Sequence, residues 1–588
     1  MMCALQLLFL ILAATASINA VTYDVTVPTE WWQENVLYQL WVKSFKDSDG
    51  DGKGDLNGIK SKLSHFVDLG VTCIWLSPIY ESPMVDSGYD ISNYTSVGTN
   101  FGTLDDFDAL IAAAHELGLK VIVDFVPNHT SEEHEWFVKA KQGIEPYYSY
   151  YVWNKGVYYG DYLSYPNNWL DIFNEGTVWE WVEEREAYYL HQFGVHQPDL
   201  NWTNPLVMAE IKNVLTFWLD RGVDGFRIDA VPYFVESSTL KNESRSNVDV
   251  DSTNYLYLNH TQTKDQPENY PIVKEWKEHI NNYAAAKGND EVRFICTEAV
   301  SDIEYVMKWY DYGDDVPFNF FFIRNGDIAI NVVLDTAQDI YNIFVKWLDH
   351  MPSDKTANWL LGNHDINRIA SRVGLYRTDG LHFISLLLPG VFTMYNGDEL
   401  GMTDTYLTWE ETTDVRACST TNTTYTLYSR DPARTPFQWD NTTSAGFSTN
   451  STTYLKVNPN YVTVNLAAEK EADFSHYKNI QKAIRLRDTT VWREGTVDIE
   501  VIDDQIVAMA RQLDGEDPIV VLMNWENSTT TIDLDDYFEN LPDTLELVIA
   551  DMYSGLNDNV GDTYDKSSLE IPEHGSMVLL GVCSQNHH

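Results

Sequence analysis

The stretch Gly225-Phe226-Arg227-Ile228-Asp229 is a short apolar run that closes on a carboxylate. Its length and its lack of helical spacing read as a buried strand. Arg227 and Asp229 are two residues apart, so on a strand their side chains leave from the same face. Outward from this stretch the same kind of run recurs, at 36–41, 71–76 and 121–126 before it and at 294–296, 318–322, 359–362 and 391–395 after it. Helix-like segments lie between several of these runs. Residues 104–117 carry apolar side chains at helical spacing, and 474–484 place Phe474, Tyr477, Ile480 and Ile484 on one face. Eight strands alternating with helices predict an α/β fold, a parallel (β/α)8 TIM barrel.

The rhythm is uneven. Residues 129–200 are rich in Tyr, Trp, Asn and Gly and show no helix–strand order. They are expected to form a small domain inserted after the third strand. After about residue 493 the pattern changes to short alternating runs at 497–501, 506–510, 519–523, 545–549 and 577–582, punctuated by Asp514-Gly515 and Ser554-Gly555. These predict a C-terminal antiparallel β-sandwich. The expected organisation is a leader at 1–20, the barrel in two parts at 21–128 and 201–493, the inserted domain at 129–200 and the sandwich at 494–588.

A chain of 588 residues is too long for one ordinary domain and suits a large core domain with satellites. Lys and Arg total 39 against 88 Asp and Glu, a formal net charge of −49. That balance argues against nucleic-acid binding and against docking on anionic lipid, and it suits solubility in an extracellular fluid. Residues 5–14 are apolar and are followed by small residues up to Ala20, which reads as a secretory signal peptide although no charged segment precedes the run. Polar residues 581–588 offer no lipid-anchor tail. A secreted protein without a membrane anchor is expected. Cys3 would leave with the leader. Cys73 and Cys296 sit in apolar runs and read as buried thiols; Cys418, in a polar loop, is either paired or free; with Cys583 they form no disulfide framework and no metal-ligand spacing. Glycosylation sequons stand at Asn93, Asn201, Asn242, Asn259, Asn422, Asn441, Asn450 and Asn527; Asn128 also fits the pattern but is expected to be unmodified.

In a (β/α)8 barrel the reacting groups stand at the C-terminal ends of the strands. The second strand leads to Gly88-Tyr89-Asp90 and the third ends in Asp124-Phe125-Val126-Pro127-Asn128-His129. The fourth ends in Asp229, the fifth in Thr297-Glu298 and the seventh in Gly362-Asn363-His364-Asp365. One such Asp is often only a helix cap. A carboxylate or His at each of these ends is harder to assign to capping. Carboxylates from several strands suit glycoside hydrolysis, where one attacks the anomeric carbon and another protonates the leaving oxygen; retention of configuration needs the pair about 5–5.5 Å apart. Arg227 beside Asp229 would hold it ionised as a nucleophile. A second pattern, Asp47-Ser48-Asp49-Gly50-Asp51-Gly52-Lys53-Gly54-Asp55, places carboxylates at alternate positions of a Gly-rich loop. Hard oxygens at this spacing suit Ca2+, as at the start of an EF-hand loop, though no Glu stands at the twelfth position. A solvated acidic turn is the alternative.

In order and spacing, the strings at 124–129, 225–229, 297–298 and 363–365 resemble the motifs of the α-amylase family, glycoside hydrolase family thirteen. The similarity spans nearly all of the mature chain, with no departure at the catalytic positions. Gln197-Pro198-Asp199-Leu200-Asn201 is similar to the extra motif of the oligo-1,6-glucosidase and α-glucosidase subfamily, and Arg434-Thr435-Pro436-Phe437-Gln438-Trp439-Asp440 resembles that subfamily and the maltases secreted by insects. The resemblance implies Asp229 as nucleophile, Glu298 as general acid and then base, and Asp365 as the group that binds sugar hydroxyls and stabilises the transition state. It implies Tyr89 stacked on the terminal glucose, with Asp90, His129, Arg227, His364 and Arg434 holding its hydroxyls or the nucleophile, and Phe173 of the inserted domain as a pocket wall.

The resemblance also implies a structural Ca2+ held by Asp47, Asp49, Asp51, Asp55 and the Lys53 carbonyl. The implied activity is that of an α-glucosidase on small oligosaccharides: maltose, sucrose and maltooligosaccharides. At the position of Ala230 a Val goes with α-1,6 cleavage in the resembling subfamily, and a smaller residue with α-1,4 linkages and sucrose. Three alternatives stay open. Heavy subunits of amino-acid transporters share the fold but lack the full catalytic set and carry a span. A surface receptor glycoprotein would need an anchor. A transglucosylase or sugar isomerase would use the same residues with a different acceptor.

Overall fold

The computed structural model describes residues 21–25, 27–288, 291–323 and 334–582. The expected leader at 1–20 and Cys583 lie outside the described residues. Eight parallel strands form one sheet: β1 (Val36–Leu40), β2 (Cys73–Leu76), β3 (Lys120–Phe125), β4 (Gly225–Ile228), β5 (Phe294–Thr297), β6 (Val316–Pro317), β7 (Asn358–Leu360) and β8 (Val391–Tyr395). Their order is β6-β5-β4-β3-β2-β1-β8-β7, so the row ends on β6 and β7, the pair that closes a barrel. Across that seam the Asn319 N–H donates to Asn358 Oδ1 at 3.2 Å. The strands are buried almost throughout, which is why they read as continuous apolar runs rather than alternations. Gly225 opens β4 because a Cβ there would come 2.2 Å from the Phe294 carbonyl oxygen.

The sixth strand differs from its expected position at 318–322. It is the two-residue β6, and Phe320–Phe322 form a 3-10 turn capped by Asn319, whose Oδ1 accepts the Phe321 N–H at 3.2 Å. A short apolar run cannot be assigned by periodicity alone, and here its burial serves a turn. The helix expected at 104–117 spans Leu104–Glu116 and begins with a Thr103/Asp106 capping box. The one expected at 474–484 spans His476–Leu486, because Ser475 accepts the Lys478 N–H as its N-cap and leaves Phe474 outside.

Between β3 and the helix Pro205–Leu219 the chain builds a three-stranded antiparallel sheet from Trp153–Asn154, Trp179–Val182 and Ala187–Leu190. Trp169, Val178, Trp179, Tyr188 and Leu190 give it a small core of its own.

The C-terminal region contains β9 (Thr496–Ile502), β10 (Ile506–Gln512), β11 (Ile519–Asn524), β12 (Thr544–Ala550) and β13 (Ser576–Gly581) in one antiparallel sheet, with Thr563–Asp565 at one edge. The other edge is Val21–Tyr23, which pairs with β9 in the register Val21↔Ile499. The start of the described chain therefore joins this sheet rather than the barrel. The expected sandwich is also unequal. One face of the sheet is covered by the ribbon Thr530–Ile532/Leu569–Ile571 and its neighbours. The opposite face, with Ile499, Met509, Val521 and Val578, packs into the barrel's own core. Both faces are apolar because each has a layer to cover it. No helix among the described residues is long and apolar enough to cross a membrane.

Candidate active site

Arg227 lies on β4 in register with Asp124 on β3 and Cys296 on β5. Its guanidinium reaches three carboxylates. Nη1 donates to Asp124 Oδ1 at 2.8 Å and also to Asp229 Oδ1, and Nη2 lies 3.0 Å from Glu298 Oε2. The Trp75 ring lies 5.0 Å from the guanidinium carbon. Burial pushes the Asp229 carboxyl up; Arg227 opposes the rise, and the charges of Glu298 and Asp124 add to it. Burial likewise pushes Asp124 up to about 6 against the pull of Arg227. Asp124 Oδ2 accepts from the Tyr89 hydroxyl at 2.9 Å and from Trp75 Nε1 at 3.2 Å, which makes it a support for the site.

Asp365, after β7, is held separately. Its Oδ1 accepts from Arg434 Nη2 at 3.1 Å and Arg430 Nη1 at 3.3 Å, and His364 Nε2 lies 3.6 Å away. The His364 ring is sandwiched between Trp41 and Tyr89, with centroids at 4.9 and 5.3 Å and near-parallel planes. Gln39 Nε2 donates to its Nδ1 at 2.7 Å. Burial holds this imidazole well below its ordinary value, so it is a neutral donor. His129 is likewise pushed down, to about 4, by burial, and its Nε2 donates to the Tyr89 carbonyl at 3.1 Å.

These groups open onto a cavity of about 500 Å³. Asp229, Glu298, Asp365, Tyr89, His129, His364 and Phe173 line it, so seven of the residues expected at the site converge there. Arg227 and Arg434 are not in the lining; they act behind it, on Asp229 and Asp365. Asp90 also lies outside the lining. It is fully buried and its carboxylate is consumed locally, accepting from Ser82 Oγ at 3.0 Å, the Val85 N–H at 2.8 Å and the Asp86 N–H at 3.0 Å. Its role is to fold the loop that presents Asp86. Asp86 does line the cavity, and Arg430 Nη2 donates to its Oδ1 at 2.7 Å. Gln197 Nε2 donates to Asp86 Oδ2 at 3.2 Å, and Arg430 is anchored on Asp414 at 2.5 Å. The sequence reading missed Asp86 and Arg430. The available signal was proximity, Asp86 lying three residues before Tyr89 and Arg430 four before Arg434.

The acidic loop brings oxygens of Asp47, Asp49 and Asp55 within 4.8 Å of one another. Asp51 stands apart from that group, with its Oδ1 accepting the Lys53 N–H at 2.7 Å. Asp47 organises the turn by accepting from the Gly50 N–H at 2.7 Å, the Gly52 N–H at 2.8 Å and Ser448 Oγ at 2.5 Å. Burial works against its charge, but these bonds hold the carboxyl below its ordinary value. Gly52 is required there: its φ is +90° and a Cβ would meet the Thr452 carbonyl at 2.5 Å.

A (β/α)8 barrel with strand-end carboxylates around one arginine, opening on a cavity of this size, defines a glycoside hydrolase. Residues 39–495 match the family described as Alpha amylase, catalytic domain, and the chain belongs to that family. It is 42% identical over 554 residues to the "Alpha-glucosidase" of Apis mellifera, covering 94% of this chain and 95% of that one. It is 41% identical to the "Salivary alpha-glucosidase" of Aedes aegypti, over 96% and 97% of the two chains. Among solved structures, trehalulose synthase MutB from Pseudomonas mesoacidophila superposes with a TM-score of 0.81 at 29% identity, over 94% of this chain and all of that one. A MutB variant has been solved with the substrate sucrose.

Proposed function

We propose that this protein is a retaining α-glucosidase that removes single glucose units from the non-reducing ends of short oligosaccharides, maltose and sucrose among them. The observation that carries the reading is that one guanidinium, Arg227, pairs with both Asp229 and Glu298 at the floor of the cavity. Sharing one guanidinium draws the two carboxyl groups together, which favours the short spacing of about 5–5.5 Å that retention needs. Breaking the glycosidic bond needs one proton at the leaving oxygen. Glu298 delivers it to the glycosidic oxygen, the bond from that oxygen to C1 breaks, and Asp229, left ionised against Arg227, forms a bond to C1. A water then attacks C1 from the vacated side. Glu298 takes its proton, the bond to Asp229 breaks, and the configuration is retained. Asp365, between Arg430, Arg434 and His364, holds sugar hydroxyls and faces the positive charge that develops at C1. The buried Asp86–Arg430 pair ends the cavity and favours a chain end over a mid-chain sugar.

A structural Ca2+ on the acidic loop belongs to this reading. Asp47, Asp49 and Asp55 present converging hard oxygens, and Asp51 and the Lys53 carbonyl lie on the same turn. The ion would cross-link a loop that also binds the 444–450 segment. Secretion is supported by the leader-like residues 1–20 and by the salivary relatives. Glycosylation is supported by the exposed sequons Asn242, Asn259, Asn422, Asn441 and Asn527, whereas Asn128 is fully buried. The test is product analysis on maltose, sucrose, isomaltose and starch with early NMR of the released glucose. α-Glucose from maltose and sucrose, with starch a poor substrate, is expected. β-Glucose as first product would rule out double displacement.

A further inference from the structure

The tip of the inserted domain, Phe173-Asn174-Glu175, is held by barrel loops on both sides. On one side the Tyr255 N–H donates to Asn174 Oδ1 at 2.8 Å. On the other the Ser419 hydroxyl donates to Glu175 Oε1 at 2.7 Å, the nearer of its two acceptors, with the Val415 carbonyl at 2.9 Å; the bond joins residues 244 apart in the chain. Arg416, three residues before Ser419, lies 5.8 Å from the Phe173 ring centroid. The tip is itself well braced. Asp171 Oδ1 accepts the Glu175 N–H at 3.0 Å, and Glu175 Oε2 accepts the Val195 N–H at 3.4 Å. Phe173, Asn174, Tyr255 and Arg416 line the cavity, whereas Glu175 and Ser419 do not. One of the two ties across the mouth is therefore made by side chains outside the cavity lining.

We propose that the Ser419–Glu175 tie sets the width of the mouth and so limits the length of oligosaccharide the enzyme accepts, an inference that rests on the α-glucosidase reading. The leaving part of the substrate must pass between the inserted tip and the loop that carries Arg416 and Leu427. The base of that loop is fixed by Asp414, Arg430 and Asp431 and by buried Ala417 and Tyr425, whereas its rim is exposed, Leu427 to 77%. An exposed rim takes its position from a few polar contacts and moves more readily than its base when one is lost. Maltose, whose leaving group is one glucose, fits the closed mouth. A longer leaving chain needs the open one, so the tie discriminates against length without touching the reacting atoms. Ser419 and Glu175 are positioning residues in this sense.

The test uses the full chain with Ser419→Ala, Glu175→Ala and the conservative Ser419→Thr, measuring kcat and KM for maltose and maltoheptaose. Losing one such bond is worth about threefold to fivefold in the open population. Ser419→Ala and Glu175→Ala are each expected to raise the maltoheptaose-to-maltose ratio of kcat/KM by about that factor, through KM for the long substrate, with maltose kcat held within about twofold. Ser419→Thr is expected to restore the original ratio. An unchanged ratio, or an equal loss on both substrates, would overturn the proposal. Hydrogen exchange reads the tie without substrate. Faster exchange at both 172–176 and 416–430 in Ser419→Ala is expected, and unchanged exchange overturns the tie. A wild-type protein inactive on maltose would instead overturn the α-glucosidase reading.

Discussion

The backbone N–H of Ala230 donates to Glu298 Oε2 at 3.1 Å. It can do so because the chain enters the left-handed region at Ala230, with φ 53 and ψ 35, directly after Asp229. Arg227, two residues before Asp229, places Nη2 at 3.0 Å from the same oxygen. One short stretch of β4 and its exit thus carries Asp229 and two donors that fix Glu298. Asp365 depends on a different cationic group, formed by Arg430 and Arg434. The site is therefore two electrostatic units that can be perturbed one at a time.

Asp229→Asn and Glu298→Gln are each expected to lower kcat on maltose by about a thousandfold or more with the fold retained, because each removes a step that no other group supplies. Steady-state kinetics alongside thermal melting checks this. A variant that keeps more than about a tenth of wild-type kcat would lose its assigned role.

Asp86→Asn tests the end wall of the cavity. The side chain keeps its shape, but its charge-assisted bond with Arg430 weakens, and Arg430 remains paired with Asp414. KM for maltose is expected to rise about tenfold or more with little change in melting temperature. An unchanged KM would show that the pair does not contact the sugar.

How much of this was legible follows from where each residue sits. Asp229, Glu298 and Asp365 end buried strands, so the period of the apolar runs both located the barrel and pointed to its mouth. Position alone did not show that Asp90 lies outside the cavity lining. It ends the Gly88-Tyr89-Asp90 string but spends its carboxylate on backbone N–H groups of its own loop, a use that strand periodicity does not reveal. Arg430 and Asp86 are 344 residues apart and meet only because two irregular loops fold over the barrel. The sixth strand failed because Phe318, Phe320, Phe321 and Phe322 are buried in a turn, and burial alone does not distinguish turn from strand.

Chelation should act on stability before activity. An ion bound only by the folded loop stabilises it by mass action, and Asp47, Asp49 and Asp55 would otherwise repel one another. Excess chelator is expected to lower Tm by several degrees, with kcat at moderate temperature changing less. An unchanged Tm after metal loss confirmed by elemental analysis would remove calcium from the loop.

The docking of the C-terminal sheet should weaken at alkaline pH. His476 Nδ1 lies 2.6 Å from Asp379 Oδ1, beside Glu469 and Asp551, at the contact between barrel helices and the sheet. Burial alone would lower this imidazole, but Asp379 and the other acids raise it to about 9. A raised folded value means the stabilisation is complete below the unfolded value, about 6.5, and disappears as pH rises through 9. Glu469, pushed up to about 7 chiefly by burial, has the same sign, but its loss runs from about pH 4.5 to 7 and so falls mostly below the range in which His476 acts. Tm is therefore expected to fall between pH 6.5 and 9.5, and His476→Gln should flatten that fall. An equal slope in the variant would place the alkaline loss elsewhere.

The linkage preference should depend on Ala230, which lines the cavity next to Asp229. An α-1,4-linked leaving glucose lies closer to this wall than one on the more flexible 1,6 linkage, so the two added methyl groups of Val would crowd it in the transition state. Steric discrimination of this size is about 1–3 kcal/mol, roughly 10–200-fold. Wild-type kcat/KM is accordingly expected to be higher for maltose and sucrose than for isomaltose, and Ala230→Val should shift the ratio toward isomaltose. The backbone adds a second effect that the sequence did not reveal. At φ 53 a β-branched side chain is strained, at a cost of about 1–2 kcal/mol, so the variant should also melt at lower temperature. Ala230→Gly separates the two effects, since it relieves the backbone and adds no bulk. It should keep the maltose preference with an equal or higher Tm. A maltose-to-isomaltose ratio that stays constant across Gly, Ala and Val, while Tm changes, would mean that Ala230 shapes only the turn and that the linkage is read by other walls of the cavity.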